Sequence, residues 1–178
     1  YTVQCLAGQP SYFESSRLPQ VVDHKGVQIR RVWSTTLNKN STIGRILNTL
    51  TFTLSSLLHV LFTPRDTILV AVTNPPLLPW VCLAGHLLRG HRFVLVLHDL
   101  YPDIAVKLGA LRSDSFIVWL WTRLNKFALS KAERIVVLGR DMRKAVVSRA
   151  ADAVKDKIVI IPNWADGREI TPHARDNH

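Results

Sequence analysis

The sequence contains two cysteines, Cys5 and Cys82, which lie far apart along the chain. Two isolated cysteines exclude a disulfide framework, and they do not supply the paired thiolates of a structural zinc site. The sequence therefore predicts that both side chains pack in the interior of a protein that resides in a reducing compartment.

Glycine-rich phosphate-binding loops are also missing. The chain has no Gly-x-Gly-x-x-Gly fingerprint, no Walker loop and no Tyr-x-x-x-Lys pair, and it shows no repeat or low-complexity segment. These absences argue against an epimerase-like nucleotide-binding enzyme. The spacing of His98, Asp99 and Asp103 matches no recognised metal motif, so neither a metal ion nor another cofactor is expected.

Acidic residues are few: the 178 residues include 13 Asp and Glu against 23 Lys and Arg, for a net charge of +10. This length suits one domain, and the charge attracts nucleic acid, anionic lipid or phosphate-bearing substrates. A non-catalytic basic module that binds nucleic acid or an anionic membrane is therefore one alternative to an enzyme. Because the apolar runs look like buried strands and the aromatics fall on helical faces, no nucleic-acid partner is expected.

Apolar runs typical of strands alternate with helical patterns along the chain. The runs cover residues 1–7, 27–33, 68–73, 93–98, 135–138 and 158–161. This alternation predicts an α/β, Rossmann-like, doubly wound parallel sheet with helices on both faces. We expect one domain over residues 1–171, with residues 172–178 as the start of an interdomain linker or tail.

Two predicted helices are notably apolar. Residues 43–62 carry apolar side chains at helical spacing, and no residue from Ile46 to Pro64 has a formal charge. A buried crossover helix is the simpler interpretation, and insertion into a membrane interface is the alternative. Residues 113–131 combine Trp with Lys and Arg, which suits a helix packed on the sheet or an element at a membrane interface.

Polar residues follow the ends of the predicted strands, where parallel sheets bind their ligands. His98 and Asp99 are the candidate catalytic residues, because an imidazole suits proton transfer or hydrogen bonding to a sugar hydroxyl, and Asp99 can orient it or accept from a substrate. A loop-capping His98 and a helix-capping Asp99 or Asp103 are the structural alternatives. The candidate substrate-binding residues are Asn74, Asp103, Arg140 and Asn163, of which Arg140 opens a helix suited to an anion.

Four motifs occur in a fixed order along the chain. They are Thr73-Asn-Pro-Pro76, His98-Asp-Leu-Tyr-Pro-Asp103, Ile135-Val-Val-Leu-Gly-Arg-Asp-Met-Arg143 and Ile160-Ile-Pro-Asn-Trp-Ala-Asp166. In this order and spacing the chain resembles the amino-terminal, acceptor-side domain of retaining GT-B glycosyltransferases, especially those that build bacterial surface polysaccharide. The resemblance covers nearly the whole chain.

The resemblance implies a parent enzyme that moves a hexosyl unit from a nucleotide-diphosphate sugar to a lipid-linked or polysaccharide acceptor. It implies that His98 contacts the donor sugar, that Asn163 lies near the hinge to the donor domain, and that no metal is needed. It also implies a cytoplasmic location, peripheral at the inner membrane face.

The chain departs from that family in two respects. Family members begin with one more strand and a Gly-rich turn, which this sequence does not contain. Their donor domain carries paired glutamates eight positions apart, whereas the glutamates here are Glu14, Glu133 and Glu169. We therefore expect the isolated 178 residues to bind nucleotide sugars weakly and to transfer no sugar.

Overall fold

The computed structural model describes residues 2–9, 18–38, 40–150 and 152–164. Its strands are β1 (Val3–Ala7), β2 (Val21–His24), β3 (Val27–Arg31), β4 (Ile68–Val72), β5 (Arg92–Leu97), β6 (Arg134–Val137) and β7 (Ile158–Ile160). Its helices are α1 (Thr42–Phe62), α2 (Leu78–Arg89), α3 (Asp103–Lys107), α4 (Phe116–Lys131) and α5 (Arg140–Ala150), with a 3₁₀ helix at Asp152–Lys157. The predicted domain end at residue 171 and the tail at 172–178 lie outside the described residues.

The main sheet has four parallel strands in the order β4-β5-β6-β7. Val72 of β4 pairs with Val96 of β5. Val137 of β6 pairs with Leu97 of β5 on one side and with Ile160 of β7 on the other. The four strands therefore end at nearly the same level, and the predicted α/β architecture with a parallel sheet is confirmed.

Strands β1, β3 and β2 form a separate sheet in that order, in which β1 and β3 are parallel and β2 and β3 are antiparallel. This differs from the single sheet expected from the sequence, which also missed β2. A two-residue turn joins β2 to β3: Lys25 and Gly26 both have positive φ, 52° and 80°. Such turns match the right-handed twist of a hairpin. Within the described residues, no strand bridges β1 and β4.

The core lies on one face of the four-stranded sheet. Phe93, Leu95 and Leu97 of β5 are buried in a cluster with residues of α2, α4 and α5. On the opposite face, the side chain of Val70 on β4 is 66% exposed. When each new parallel strand is added on the same side of the last one, right-handed crossovers place all their helices on one face of the sheet. Helices cover both faces only where the order of the strands reverses. The order from β4 to β7 contains no reversal.

Helix α1 confirms the helix predicted at 43–62, but the prediction that it is buried is wrong. Leu54 is 57% exposed and Phe62 is 86% exposed, whereas Ser56 is buried. The inward face carries polar groups instead: Asn48 Oδ1 accepts a hydrogen bond from the hydroxyl of Thr35 at 2.8 Å. The inward side of the helix therefore carries polar groups together with Val60, and a row of large apolar side chains faces outward.

The cysteines differ in burial. Cys82 lies in the core, as expected, but the prediction for Cys5 is wrong, because Cys5 on β1 is exposed. The strand β1 is exposed along its first residues, so an inward position was not available there. Burial raises the pKa of the Cys82 thiol to about 12.

We predict that the two thiols react at very different rates. At pH 8 a group with a pKa of about 12 is about one part in ten thousand thiolate, and the thiolate is the nucleophile. Titration of the native protein with a disulfide reagent should consume one thiol rapidly, and the second should react upon unfolding in guanidinium. Fast reaction of a Cys5→Ser variant in its native state would contradict the burial of Cys82.

Helices α1 and α2 approach each other closely at Gly85. A Cβ atom added at Gly85 would lie 2.6 Å from Cγ1 of Val60 on α1 and 3.1 Å from Cδ1 of Leu69 on β4. Val60 is buried and its short side chain cannot move aside. A glycine at this position therefore sets the distance between the two helices.

We predict that Gly85→Val destabilises the protein by about 1–3 kcal/mol, because overpacking forces the helices apart. The matched control on the same helix is Leu88→Val, since Leu88 is 66% exposed and should change stability by about 0.5 kcal/mol or less. Urea denaturation gives both values. Equal stability of the two variants would show that α1 and α2 separate without strain.

Candidate active site

The strand ends of the parallel sheet gather residues of the four motifs singled out from the sequence. Asn74 follows β4, His98 follows β5, Gly139 follows β6 and Asn163 follows β7. Because the strands are parallel and end at the same level, the structure brings these positions to one edge of one sheet. Asp99 and Arg140 adjoin them in the chain.

A buried threonine ties two of these strand ends together. The hydroxyl oxygen of Thr73 accepts hydrogen bonds from the backbone N–H groups of His98 at 2.9 Å and Asp99 at 3.1 Å. The N–H of Thr73 itself donates to the carbonyl of Val96 at 3.1 Å. The point at which the chain leaves β5 is therefore fixed by the end of β4.

The loop that follows His98 is held by α4. Asn125 Nδ2 donates to the carbonyl of Tyr101 at 2.9 Å, and Asn125 Oδ1 accepts from the indole N–H of Trp80 at 2.7 Å. The ring of Tyr101 stacks on that of Trp121, with 5.8 Å between centroids. The loop carrying His98 and Asp99 is thus anchored at both ends, by Thr73 and by Asn125.

A cavity of about 260 Å³ lies beneath this loop. Its walls include Leu95 and Leu97 of β5, and Asp99 and Asp103 lie at its polar part. Apolar walls with a small number of polar groups are the usual composition of a small-molecule site.

An ion pair closes one side of the cavity, where the guanidinium of Arg149 on α5 meets the carboxylate of Asp103. Burial lowers the pKa of Arg149. Asp103 stands in the first turn of α3, and the N-cap residue is Pro102, which makes no capping hydrogen bond. Asp103 therefore joins α3 to α5.

The remaining candidates differ in exposure. His98 and Asn74 are exposed, and Asp99 is half-buried. Arg140 is exposed at the first residue of α5, and Asn163 is exposed three residues beyond β7. In the part of the chain that the structure describes, the His98 ring makes no hydrogen bond, and no group of three His, Cys, Asp or Glu residues is placed to hold a metal ion.

Comparison with protein families accounts for this arrangement. The family described as "Glycosyl transferase 4-like domain" matches residues 1–164. The chain belongs to this family. Its parallel sheet and helices are accordingly the Rossmann-like architecture of one half of a GT-B fold.

The glycosyl transferase 4-like domain is also similar to a curated protein, "Probable glycosyltransferase WbjE" of Pseudomonas aeruginosa. The two are 34% identical over 113 residues. The alignment covers 64% of this chain and 28% of that protein, so the matched part spans less than a third of the relative's length.

Sequence reasoning missed three residues of the site: Thr73, Asn125 and Arg149. Thr73 ends the run 68–73 predicted as a strand, and a hydroxyl at a strand end beside a polar loop is a recognisable signal. Asn125 interrupts the apolar pattern of α4, and a polar residue on an inward helical position signals an internal hydrogen bond. Nothing in the sequence near Arg149 indicates its pairing with Asp103.

We predict that Thr73→Val destabilises the domain by about 1–3 kcal/mol, because the N–H groups of His98 and Asp99 lose their acceptor. Thr73→Ser restores the hydroxyl and should recover most of that stability. The control is Thr53→Val, whose hydroxyl bonds to Thr49 within α1 at 2.7 Å, where the change should be small. Thermal unfolding measures all three, and a Thr73→Val protein as stable as wild type would show that the hydroxyl is dispensable.

Proposed function

We propose that the protein carrying this domain transfers a hexosyl unit, with retention at the anomeric carbon, from a nucleotide-diphosphate sugar to a lipid-linked or polysaccharide acceptor. The proposed setting is cell-surface polysaccharide synthesis. Membership of the glycosyl transferase 4-like family supports glycosyl transfer, as does the name of the relative from P. aeruginosa. The observation that carries the proposal is the edge where His98 and Asp99 follow β5, with Asp99 in the wall of a cavity and His98 exposed outside that wall.

The geometry suits two hydrogen-bonding roles at this edge. The ring of His98 is exposed while its backbone is fixed by Thr73, so the imidazole can bond to a hydroxyl of the donor sugar without a change in the loop. Asp99 lines the cavity, where a carboxylate accepts a hydrogen bond from an acceptor hydroxyl. We assign His98 to a hydroxyl of the donor sugar and Asp99 to the acceptor hydroxyl.

The other candidates surround the same edge and suit substrate binding. Asn74 and Asn163 offer amide groups, and Asp103 faces the cavity from α3. Arg140 begins α5, where unpaired N–H groups and the helix dipole favour a phosphate. We assign Arg140 to a phosphate of the substrates.

In the proposed reaction the bond between the anomeric carbon and the diphosphate oxygen breaks, and a bond to the acceptor oxygen forms on the same face of the sugar. The acceptor proton passes to the departing diphosphate. Groups that stabilise the charge on that diphosphate supply much of the rate enhancement in such a reaction. We place most of those groups in the donor domain, and we assign to this domain the contacts with the acceptor and the contacts of His98 and Arg140 described above.

We predict that His98→Ala lowers the transfer rate of the complete enzyme about 30- to 1000-fold, since one hydrogen bond made in the transition state is worth roughly 2–4 kcal/mol. The matched control is His24→Ala, because His24 is an exposed histidine on β2 of the other sheet. Turnover is measured at a saturating concentration of the nucleotide-sugar donor. Circular dichroism checks that each variant is folded. Near wild-type turnover of the His98 variant would make this residue structural.

Retention and the nature of the acceptor need their own measurement. Proton NMR of the product reports the anomeric configuration, which should equal that of the donor sugar. A polyprenyl-diphosphate-linked sugar and a soluble oligosaccharide distinguish the two acceptor classes. An inverted product would overturn the retaining assignment and leave sugar transfer itself intact.

A further inference from the structure

Helices α1, α2 and α4 present one apolar surface to the outside of the domain. Helix α2 packs against both α1 and α4, so the three helices form one layer. We define the outer helical face as the large apolar residues of this layer that are exposed. They are Ile43, Ile46, Leu47, Leu50, Leu54, Leu58 and Phe62 on α1, Leu87 and Leu88 on α2, and Phe116, Ile117, Trp119, Leu120 and Phe127 on α4.

The stripe on α1 runs the whole length of the helix. Its members recur every three or four residues from Ile43 to Phe62, which is one side of a helix about 31 Å long. By length and composition α1 is long and apolar enough to cross a membrane. Only 11% of its apolar stretch is buried inside the protein. Soluble monomers rarely expose so many large apolar side chains on neighbouring helices unless they bind something.

The inward side of α1 is already occupied, which excludes a transmembrane orientation. Asn48 Nδ2 donates to the carbonyl of Leu37 at 2.9 Å, and near the other end His59 Nε2 bonds to Gln4 Oε1 at 3.2 Å. A spanning helix would take these polar groups into hydrocarbon and break their hydrogen bonds. A membrane bound to this surface would therefore meet α1 along its side, with the helix axis in the plane of the interface.

Helix α4 adds the combination of aromatic rings and cations found at membrane interfaces. The guanidinium of Arg123 lies over the ring of Trp119 at 5.6 Å, and the ammonium group of Lys131 lies over the ring of Phe127 at 5.7 Å. Both pairs are exposed. Aromatic rings at the headgroup level with cations beside them are characteristic of proteins that lie on a bilayer.

The charge of the layer selects an anionic partner. None of α1, α2 or α4 contains an Asp or Glu, whereas Arg45, Arg123 and Lys131 are exposed cations on them. A second copy of this chain would bring like charges together across the interface, which disfavours a dimer through this surface. An anionic lipid surface satisfies both the apolar residues and the cations.

We propose that the outer helical face binds an anionic lipid bilayer, with α1 in the plane of the interface and the cations of α4 on the lipid headgroups. The proposal does not depend on sugar transfer. It assigns a partner to a surface that lies outside the candidate active site.

Co-sedimentation of the complete protein with lipid vesicles tests the proposal. We expect binding to phosphatidylcholine vesicles that contain phosphatidylglycerol at about 0.1 M salt, and weak binding at about 1 M salt, where charges are screened beyond about 3 Å. Each cation near such a surface is worth about fivefold in binding, so Arg123→Gln with Lys131→Gln should weaken binding about 30-fold. The matched control, Lys25→Gln with Lys144→Gln, removes the same charge from the β2–β3 turn and from α5, and should change binding little.

The apolar part is tested by the triple variant Leu50→Ser, Leu54→Ser and Leu58→Ser, which should weaken vesicle binding about tenfold or more. Leu108→Ser is its control, because Leu108 is 78% exposed and follows α3, outside the three helices. Circular dichroism and thermal unfolding check that each variant is folded.

Three results would overturn the proposal. They are no binding to anionic vesicles at low salt, salt-resistant binding to pure phosphatidylcholine, and a monomer–dimer equilibrium in analytical ultracentrifugation that the triple variant abolishes. The last result would assign the outer helical face to a second copy of the chain.

Discussion

One buried hydroxyl determines where the candidate active site lies. Thr73 is fixed by the sheet through its own N–H, and its side chain in turn fixes the backbone of His98 and Asp99. Both bonds require β4 and β5 to be parallel and in the observed register, because only then do the two strands end side by side. The positions of His98 and Asp99 therefore depend on the pairing of β4 with β5.

Hydrogen bonds also determine which side of α1 faces the protein. Side chains of α1 meet the polar groups of the amino-terminal segment: Asn48 bonds to the hydroxyl of Thr35 and to the backbone of Leu37, and Thr51 also bonds to Thr35. Residues three or four apart lie on the same side of a helix. Because Leu50, Leu54 and Leu58 lie on a different side of α1 from Asn48, they face outward when Asn48 faces the protein. These hydrogen bonds fix which side of α1 faces the protein.

The sequence predicts the parallel strands well and the details of the site poorly, for physical reasons. Runs such as Phe93 to Leu97 have no polar side chain, so burial on a central strand is the conformation that satisfies them. The role of Thr73 depends on backbone groups 25 and 26 positions away, which no local pattern contains. The direction in which α1 faces has the same limit, because the spacing of its apolar residues fits a buried or an exposed stripe equally.

Helix α4 connects the candidate active site to the outer helical face. Its inner side supplies Asn125, which anchors the loop after His98, and Leu129, which lines the cavity. Its outer side presents Trp119 and Arg123. A helix with its side chains is about 10 Å across, so the cavity and the outer face are separated by one helix diameter. If the outer helical face lies on a bilayer as we propose, a lipid-linked acceptor of the kind proposed above would have its sugar at the depth of the cavity while its chain stays in the membrane.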